Sequence, residues 1–380
     1  MMTISLEEMR TQKVVSVERQ PAPIGSVEKE LDAMWEGFRM GWGDEDAVTR
    51  ACMSNLLVYC DTPEEAEQAR QDLPKILFEH PARTLLMYRD MTRDNDDLAS
   101  WVSVHFSNLG HGLQVCGEQV DVVCRGNAEV ILPSAARSLL VSDLPTALWW
   151  ASAVPPALNG QMFMALSAIA DQVIFDSVGW RDPPRDILAL ARWTSSDQDE
   201  LVIHNLAWRR LKPWRRMLSQ VLDPAASPGA LAGAAEIHLE HGPHGLPTAW
   251  MLIGWVAERL GWTVEDGKIL SGKEMIWTFR TAAGPKVVHI ERRDAGEPAI
   301  YRLDWTWRGD HSGCLRVDLT DNRKLEARTN AEGPAVMILP LHQPDRATLV
   351  AQQLAYRTRD RLFENALSLA NAMTQVLSRR

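Results

Sequence analysis

Tyr301-Arg-Leu-Asp-Trp-Thr-Trp307 decides the fold of the C-terminal third. Its odd-numbered residues are large and apolar, while Arg302, Asp304 and Thr306 between them are polar. Successive side chains of a strand point to opposite faces. The segment therefore reads as a strand with one buried and one wet face, as in an antiparallel sheet. The same period of two recurs around it. Met275 to Arg280, Val287 to Glu291, Leu315 to Leu319, Leu325 to Thr329 and Val336 to Leu339 read as further short strands. A helix from about Asp345 to Leu377, broken near Arg357, closes the chain.

Towards the N-terminus the pattern changes to alternating strands and helices. Ser54-Asn-Leu-Leu-Val-Tyr-Cys60 reads as a buried strand, and Thr62 and Pro63 open a helix that Pro74 ends or bends. Arg83 to Tyr88 and Trp101 to Phe106 read as strands, and Leu113 to Arg125 as a hairpin turning at Gly117-Glu118. Leu132 to Leu140 reads as a helix and Pro145 to Trp150 as a strand. Val154-Pro-Pro-Ala157 is the best boundary in the chain, because consecutive prolines suit neither helix nor sheet interior. Beyond it, Gln172 to Phe175 and Ala235 to Leu239 read as strands. Met162 to Ala170, Pro183 to Trp193 and about Thr248 to Leu260 read as helices. The expected architecture is α/β and α+β. Residues 1–25 form a flexible arm and 26–153 an N-terminal α/β domain. A larger domain, 157–380, has an α/β part over about 157–262, then an antiparallel sheet and terminal helix over about 268–380.

With 380 residues, 46% hydrophobic and 24% charged, the chain has the length and mix of a soluble protein with more than one core. Its net charge of −10 argues against a general nucleic-acid binder, which needs a basic face to displace counterions. The uncharged stretch Leu144 to Ala170 is interrupted by Pro155-Pro156 and Asn159-Gly-Gln161, so no transmembrane helix is expected. The cysteines number 5, and none are arranged as C-x-x-C. Cys52 and Cys60 share an extended segment, roughly 26 Å end to end. Cys116 and Cys124 would be out of register across the expected hairpin. Free thiols in a reducing cytoplasm are the expectation.

No catalytic, cofactor-binding or metal-ligating set is expected. Dinucleotide, nucleophile-elbow and zinc-protease patterns are absent. Gly267-Lys-Ile-Leu-Ser-Gly-Lys-Glu274 approaches a phosphate loop, but Glu274 stands where a hydroxyl should hold magnesium, which favours a hairpin turn. His238, His241 and His244 lie three apart, a spacing that points strand side chains to opposite faces. The loop His241-Gly-Pro-His-Gly245 precedes a helix but lacks a lysine or serine for an anion site. Asp171 and Asp176-Ser177 bracket a buried strand and read as turn or cap residues.

One segment points to binding instead. Trp208, Arg209, Arg210, Lys212, Trp214, Arg215 and Arg216 place five cations and two tryptophans within nine residues of an acidic chain. Arg and Trp are the side chains that most often anchor interfaces, so these seven are candidate partner-binding residues. Trp208, Leu211, Trp214, Leu218 and Leu222 also recur at spacings of three and four, the core face of a helix. Both readings stay open.

Three segments in order resemble the OpcA family of bacterial glucose-6-phosphate dehydrogenase assembly proteins. They are Leu144-Pro-Thr-Ala-Leu-Trp-Trp150, Ala170-Asp-Gln-Val-Ile-Phe-Asp-Ser177 and Leu206-Ala-Trp-Arg-Arg-Leu-Lys-Pro-Trp-Arg215. Asn205 stands where the family usually has aspartate, and Gln172 where it has arginine. The resemblance spans roughly residues 25–340. It implies a non-enzymatic, cytoplasmic protein that binds the dehydrogenase, promotes its active oligomer and supports NADPH supply through the oxidative pentose phosphate pathway. Thiol control, associated with the family in photosynthetic bacteria, is not expected here, because the C-terminal third holds only Cys314. The alternatives are a sugar-phosphate-binding enzyme and an effector-sensing scaffold.

Overall fold

The computed structural model describes residues 14–17, 19–42, 52–92, 96–108, 113–126, 128–195, 201–329, 334–342 and 344–377. It is a mixed α/β chain in two compact units, each built on its own sheet. The first unit comprises residues 1–176, 199–204 and 344–359; the second comprises 177–198, 205–343 and 360–380.

The first sheet contains β1 (Val14–Ser16), β2 (Gln20–Pro21), β3 (Ser54–Cys60), β4 (Ala82–Asp90), β5 (Leu98–Asn108), β6 (Leu113–Arg125), β7 (Thr146–Trp150), β8 (Gln172–Phe175) and β9 (Val202–Asn205). Their order is β1-β5-β6-β4-β3-β7-β8-β9, and β2 pairs with β5. The pairs from β6 through β4, β3 and β7 to β8 are parallel, while β5 runs antiparallel to β6. Every residue of β3 is buried, as its unbroken apolar run requires of a central parallel strand. The helix Pro63–Glu79 links β3 to β4, with the Thr62 side chain capping its start by accepting from the Glu65 N–H.

Several expectations change. Pro74 does not end this helix, which runs on to Glu79. Leu113–Arg125 is one strand rather than a hairpin. The Cys116 side chain lies outside the described residues. Part of the N-terminal arm is held: Val14–Ser16 and Gln20–Pro21 pair with the edge strand β5, and Arg19 lies over the Trp101 ring. Residues 1–13 lie outside the described residues. Val154–Ala157 falls inside the first unit, because β8 beyond it pairs in parallel with β7.

The second sheet contains β10 (Ala234–His241), β11 (Thr263–Ile269), β12 (Glu274–Arg280), β13 (Lys286–Arg292), β14 (Ile300–Trp307), β15 (Gly313–Leu319), β16 (Lys324–Thr329) and β17 (Met337–Pro340). Their order is β11-β12-β13-β10-β14-β15-β16-β17, antiparallel except for the parallel pair β10–β13. The expected alternation holds: Leu303, Trp305 and Trp307 are buried, with Ile237, Leu239, Trp277, Val288 and Val317 among the other buried sheet residues. The helices Leu246–Arg259 and Arg361–Leu377 pack together closely. A side chain at Gly254 would meet the Ala366 carbonyl at 2.5 Å, so only glycine permits that approach. The phosphate-loop lookalike is the β11–β12 hairpin, closed by Leu270 N–H donating to the Glu274 carbonyl at 2.9 Å. The terminal helix is broken as expected, into Arg346–Ala355 and Arg361–Leu377.

The helix Pro183–Thr194 opens with reciprocal capping. Asp182 accepts from the Arg185 N–H, and Asp186 accepts from the Asp182 N–H. Burial raises the Asp186 pKa from its ordinary 3.8 to about 6. A carboxyl raised in the folded state holds its proton more tightly there. Its stabilisation is complete below the unfolded value and is lost as pH rises through about 6. Asp186→Asn should therefore gain stability relative to the parent on going from pH 4 to pH 7. Urea unfolding at both values measures this; an equal difference at the two would refute it.

Candidate partner-binding site

The basic segment begins where Asn205 caps the helix Leu206–Arg210, accepting from the Ala207 N–H at 3.0 Å. Asn205 also exchanges hydrogen bonds with Ser177: its Nδ2 donates to Ser177 Oγ at 2.9 Å, and its Oδ1 lies 3.2 Å from that hydroxyl. Asparagine thus supplies the acceptor that the usual aspartate would, plus a donor for Ser177. Two of the resembling segments meet at this contact.

Pro213 then sits in the first turn of the helix Lys212–Val221, where its missing N–H costs nothing. Trp214, Met217, Leu218 and Val221 form its buried face. Trp208 and Trp214 are 1% and 3% exposed. Neither presents area to a partner, which corrects their expected role as direct contacts. Their size and period make them core.

Asp360 organises the cations around Trp208. Its Oδ2 accepts from the Trp208 indole N–H at 2.9 Å, and its Oδ1 accepts from the Phe363 N–H at the start of the terminal helix. Arg209 lies 3.5 Å from the same carboxylate. The Arg215 guanidinium stacks 3.6 Å from the Trp208 ring centroid. Burial lowers the Arg215 pKa to about 10, opposed by Asp360, so it remains a cation at neutral pH. Arg210 lines a narrow cleft with Trp214 and Ile300. Lys212 and Arg216 are exposed, and neither has an ion-pair partner among the described residues. They stand four apart on one helix face, with Ser219 three further on.

That face runs into an apolar groove of about 250 Å³ lined by Leu218, Leu222, Leu231, Trp255, Val256 and Leu260, with Asp223 and Arg259 also lining it. Sequence reading missed the groove, because its walls come from four separate segments, Trp305 of β14 being the last. Of its apolar walls Leu218 and Leu222 lay in the segment singled out, and both looked like core.

The other candidates take structural roles. His238 faces Glu291 at 3.3 Å on the wet side of β10, while His241 is buried, 2.7 Å through Nδ1 from the Gly242 carbonyl. Among the described residues no group of three His, Cys, Asp or Glu side chains could hold a metal ion. Asp171 accepts from the Thr146 N–H at 2.7 Å. Parallel sheets ordinarily hold ligands beyond their strand C-termini. There, after β3, Asp61 accepts from Tyr59, Ser152 and Asn159 side chains. Glu65 accepts from the Asp61 and Ala153 N–H groups. Cys60 and Cys124 are free buried thiols, and burial pushes Cys124 up to about 11. No helix among the described residues is long and apolar enough to cross a membrane.

Residues 74–192 match the family model described as the glucose-6-phosphate dehydrogenase subunit N-terminal domain, and 202–367 match that of its C-terminal domain. An OpcA protein of Synechocystis sp. is 26% identical over 277 residues, covering 69% of this chain and 57% of its own. One from Nostoc punctiforme is 24% identical over 311 residues, covering 78% and 65%. The chain thus spans less than two thirds of these curated relatives. Among solved structures, the transcriptional regulator Gal80p of Kluyveromyces lactis is similar at TM-score 0.48 and 9% identity, over 87% of this chain and 93% of that one. The WlbA dehydrogenase of Chromobacterium violaceum is similar at TM-score 0.47 and 11% identity, over 88% and 96%.

Proposed function

Because the chain belongs to the OpcA family of glucose-6-phosphate dehydrogenase assembly proteins, we propose that it binds that dehydrogenase and promotes its active oligomer without catalysing a reaction itself. It would thereby support NADPH production in the oxidative pentose phosphate pathway, the cycle to which its relatives' names assign them. The observation that carries this reading is the family match, which extends through both halves of the chain. The self-satisfied hydrogen bonds of Asp61 beyond β3 support a non-enzymatic role. The docking surface is the exposed edge Lys212–Arg216 with the adjoining groove. Free cations beside an apolar pocket suit a partner that offers a carboxylate and an apolar anchor. Trp208 and Trp214 serve by holding that edge rigid. An activator that selects one conformation shifts kinetics only as far as its affinities for the two states differ.

The test mixes the full chain with the dehydrogenase of the same cell, measuring affinity and the dehydrogenase kcat and KM. Wild type should raise kcat, lower KM, or both. Lys212→Glu with Arg216→Glu should weaken binding at least about tenfold, or ~1.4 kcal/mol. Exposed substitutions of this kind change folding by only about 0.5 kcal/mol. Unchanged kinetics with demonstrably bound protein would defeat the activation reading. Unchanged affinity of the double variant would move the contact to another face, first to the sheet around Tyr301–Trp307.

A further inference from the structure

A serine of the N-terminal arm heads a chain of hydrogen bonds that runs into the first sheet. Ser16, on the edge strand β1, is exposed and stands opposite His105 of β5. Its Oγ lies 2.8 Å from His105 Nδ1. The other ring nitrogen, Nε2, lies 2.9 Å from Gln119 Oε1. Gln119 Nε2 donates to Asp121 Oδ1 at 2.6 Å. Asp121 Oδ2 accepts from Arg19 Nη1 at 2.9 Å and from Arg70 Nη2 at 3.0 Å. His105, Gln119 and Asp121 are 4%, 2% and 1% exposed, so the relay is buried behind an exposed serine.

The relay has one consistent direction. A carboxylate only accepts, so Asp121 takes the Gln119 amide N–H and leaves Gln119 Oε1 as the acceptor. That oxygen takes the proton of His105 Nε2, and the neutral ring keeps its lone pair on Nδ1, towards Ser16. Burial lowers the His105 pKa from its ordinary 6.5, opposed by the bond to Gln119 and the charge of Asp121, so the ring is neutral at pH 7. The other charges around the relay are Arg19 of the arm, and Arg70 with its partner Glu67 on the helix Pro63–Glu79. A hydroxyl within hydrogen-bond reach of a base, itself oriented by a third group, is the arrangement of an activated nucleophile. The backbone adds a donor. The Val17 N–H donates to the Val104 carbonyl at 3.0 Å. Hydrogen-bonded and open residues alternate along an antiparallel pair. The Ser16 N–H therefore points away from β5, at the outer edge of the sheet. There it can receive the oxygen of a carbonyl attacked by its own Oγ, as the amide of the nucleophile does in serine proteases.

We propose that Ser16 is an acylation site, taking an acyl group from an activated ester or thioester with His105 as general base. Oγ bonds to the acyl carbon as its proton passes to His105 Nδ1. The bond from that carbon to the leaving oxygen or sulfur then breaks. The leaving group carries away the electron pair and receives the proton from Nδ1, and nothing is oxidised or reduced. One base and one backbone donor favour acyl groups on good leaving groups, aryl oxides and thiolates, over alkyl esters. The acyl group comes to lie over Nδ1 of a buried ring, which shields the base from water and leaves the ester on the chain. This is a modification of the protein rather than turnover, and it stands apart from the docking edge and from the dehydrogenase reading.

The experiment incubates the full chain with p-nitrophenyl acetate, S-phenyl thioacetate or ethyl acetate and locates acetyl groups by peptide mass spectrometry. The first two should acetylate Ser16 faster than any other serine or threonine, and ethyl acetate should not. The Ser16 rate should be level above pH 7 and fall on acidification only below 6.5, because burial holds the base neutral down to lower pH. His105→Gln, its folding checked by circular dichroism, should slow acetylation of Ser16 at least about a hundredfold, the usual worth of a general base. The pH profile of the unaltered chain decides the same point should that variant not fold. Acetyl groups confined to lysines and the N-terminus would overturn the proposal. So would a Ser16 rate that keeps climbing with pH above 7, equal acetylation by ethyl acetate, or an unchanged rate in folded His105→Gln.

Discussion

Trp208→Ala should destabilise the second unit by about 3–5 kcal/mol, the usual cost of deleting a buried aromatic side chain. The loss has identifiable parts. The ring is 1% exposed and lies 6.0 Å, centroid to centroid, from Phe363. Its indole N–H satisfies Asp360, which also caps the terminal helix. Its face carries the Arg215 guanidinium. Alanine leaves a void, a carboxylate short of one donor and a half-buried cation without its platform. Trp208→Phe retains a ring and should lose less, about 1.5–3 kcal/mol for the hydrogen bond to a charged acceptor. Urea denaturation of both variants reads the difference. A loss below about 1 kcal/mol for the alanine variant would contradict this account of the segment.

Arg83→Met should cost the first unit a similar amount, by different physics. Arg83 and Glu118 are 1% and 0% exposed, and Arg83 Nε donates to Glu118 at 2.6 Å. Nη1 donates to Glu28 and to the Leu139 carbonyl, and the Trp35 indole N–H donates to the other Glu118 oxygen at 2.8 Å. Removing one member leaves a buried charge uncompensated, which typically costs about 3–5 kcal/mol. Replacing both charges by apolar groups of similar volume is often nearly neutral. Arg83→Met with Glu118→Leu should therefore recover much of the single-variant loss, less what Trp35 and Glu28 forfeit. A thermodynamic cycle over the four proteins decides it. Additive losses would show that the ion pair is not the stabilising unit.

Periodic apolar patterning was readable where burial alone sets the pattern. The alternation at Tyr301–Trp307 and its neighbours, and the solid run at β3, follow directly from one-faced and two-faced burial. Reading failed where long-range contacts override local preference. Gly117 looked like a turn; in the structure it lies within β6, opposite His105 and Ala82. A Cβ there would meet the Ala82 carbonyl at 2.5 Å, so the glycine answers a close backbone approach between strands. The burial of the charges at Glu118 and Asp121 has no local signal, because their partners Arg83, Arg19 and Arg70 are 35 or more positions away. The prolines at 155 and 156 marked a loop correctly, but loops and unit boundaries coincide only when no later strand returns to the same sheet. The tryptophans of the basic segment were legible as large and periodic. They stand on two successive helices, and what covers Trp208 includes Asp360, far along the chain.

The first unit is assembled from three stretches, 1–176, 199–204 and 344–359. During synthesis the ribosome releases the chain from its N-terminus, and domains ordinarily fold as soon as their last residue emerges. Here the edge strand β9 and the helix Arg346–Ala355 come late. That helix supplies Arg346 to Asp72 at 2.6 Å, and its capping Asp345 pairs with Lys75. The N-terminal sheet thus gains its last strand at Asn205, but waits for the helix Arg346–Ala355 until the second unit's sheet has been made. A nascent chain of this kind leaves Asp72 and Lys75 of the first unit without their partners across the making of the second sheet, and a stop codon anywhere before residue 345 would deprive the first unit of that helix as surely as it would truncate the second.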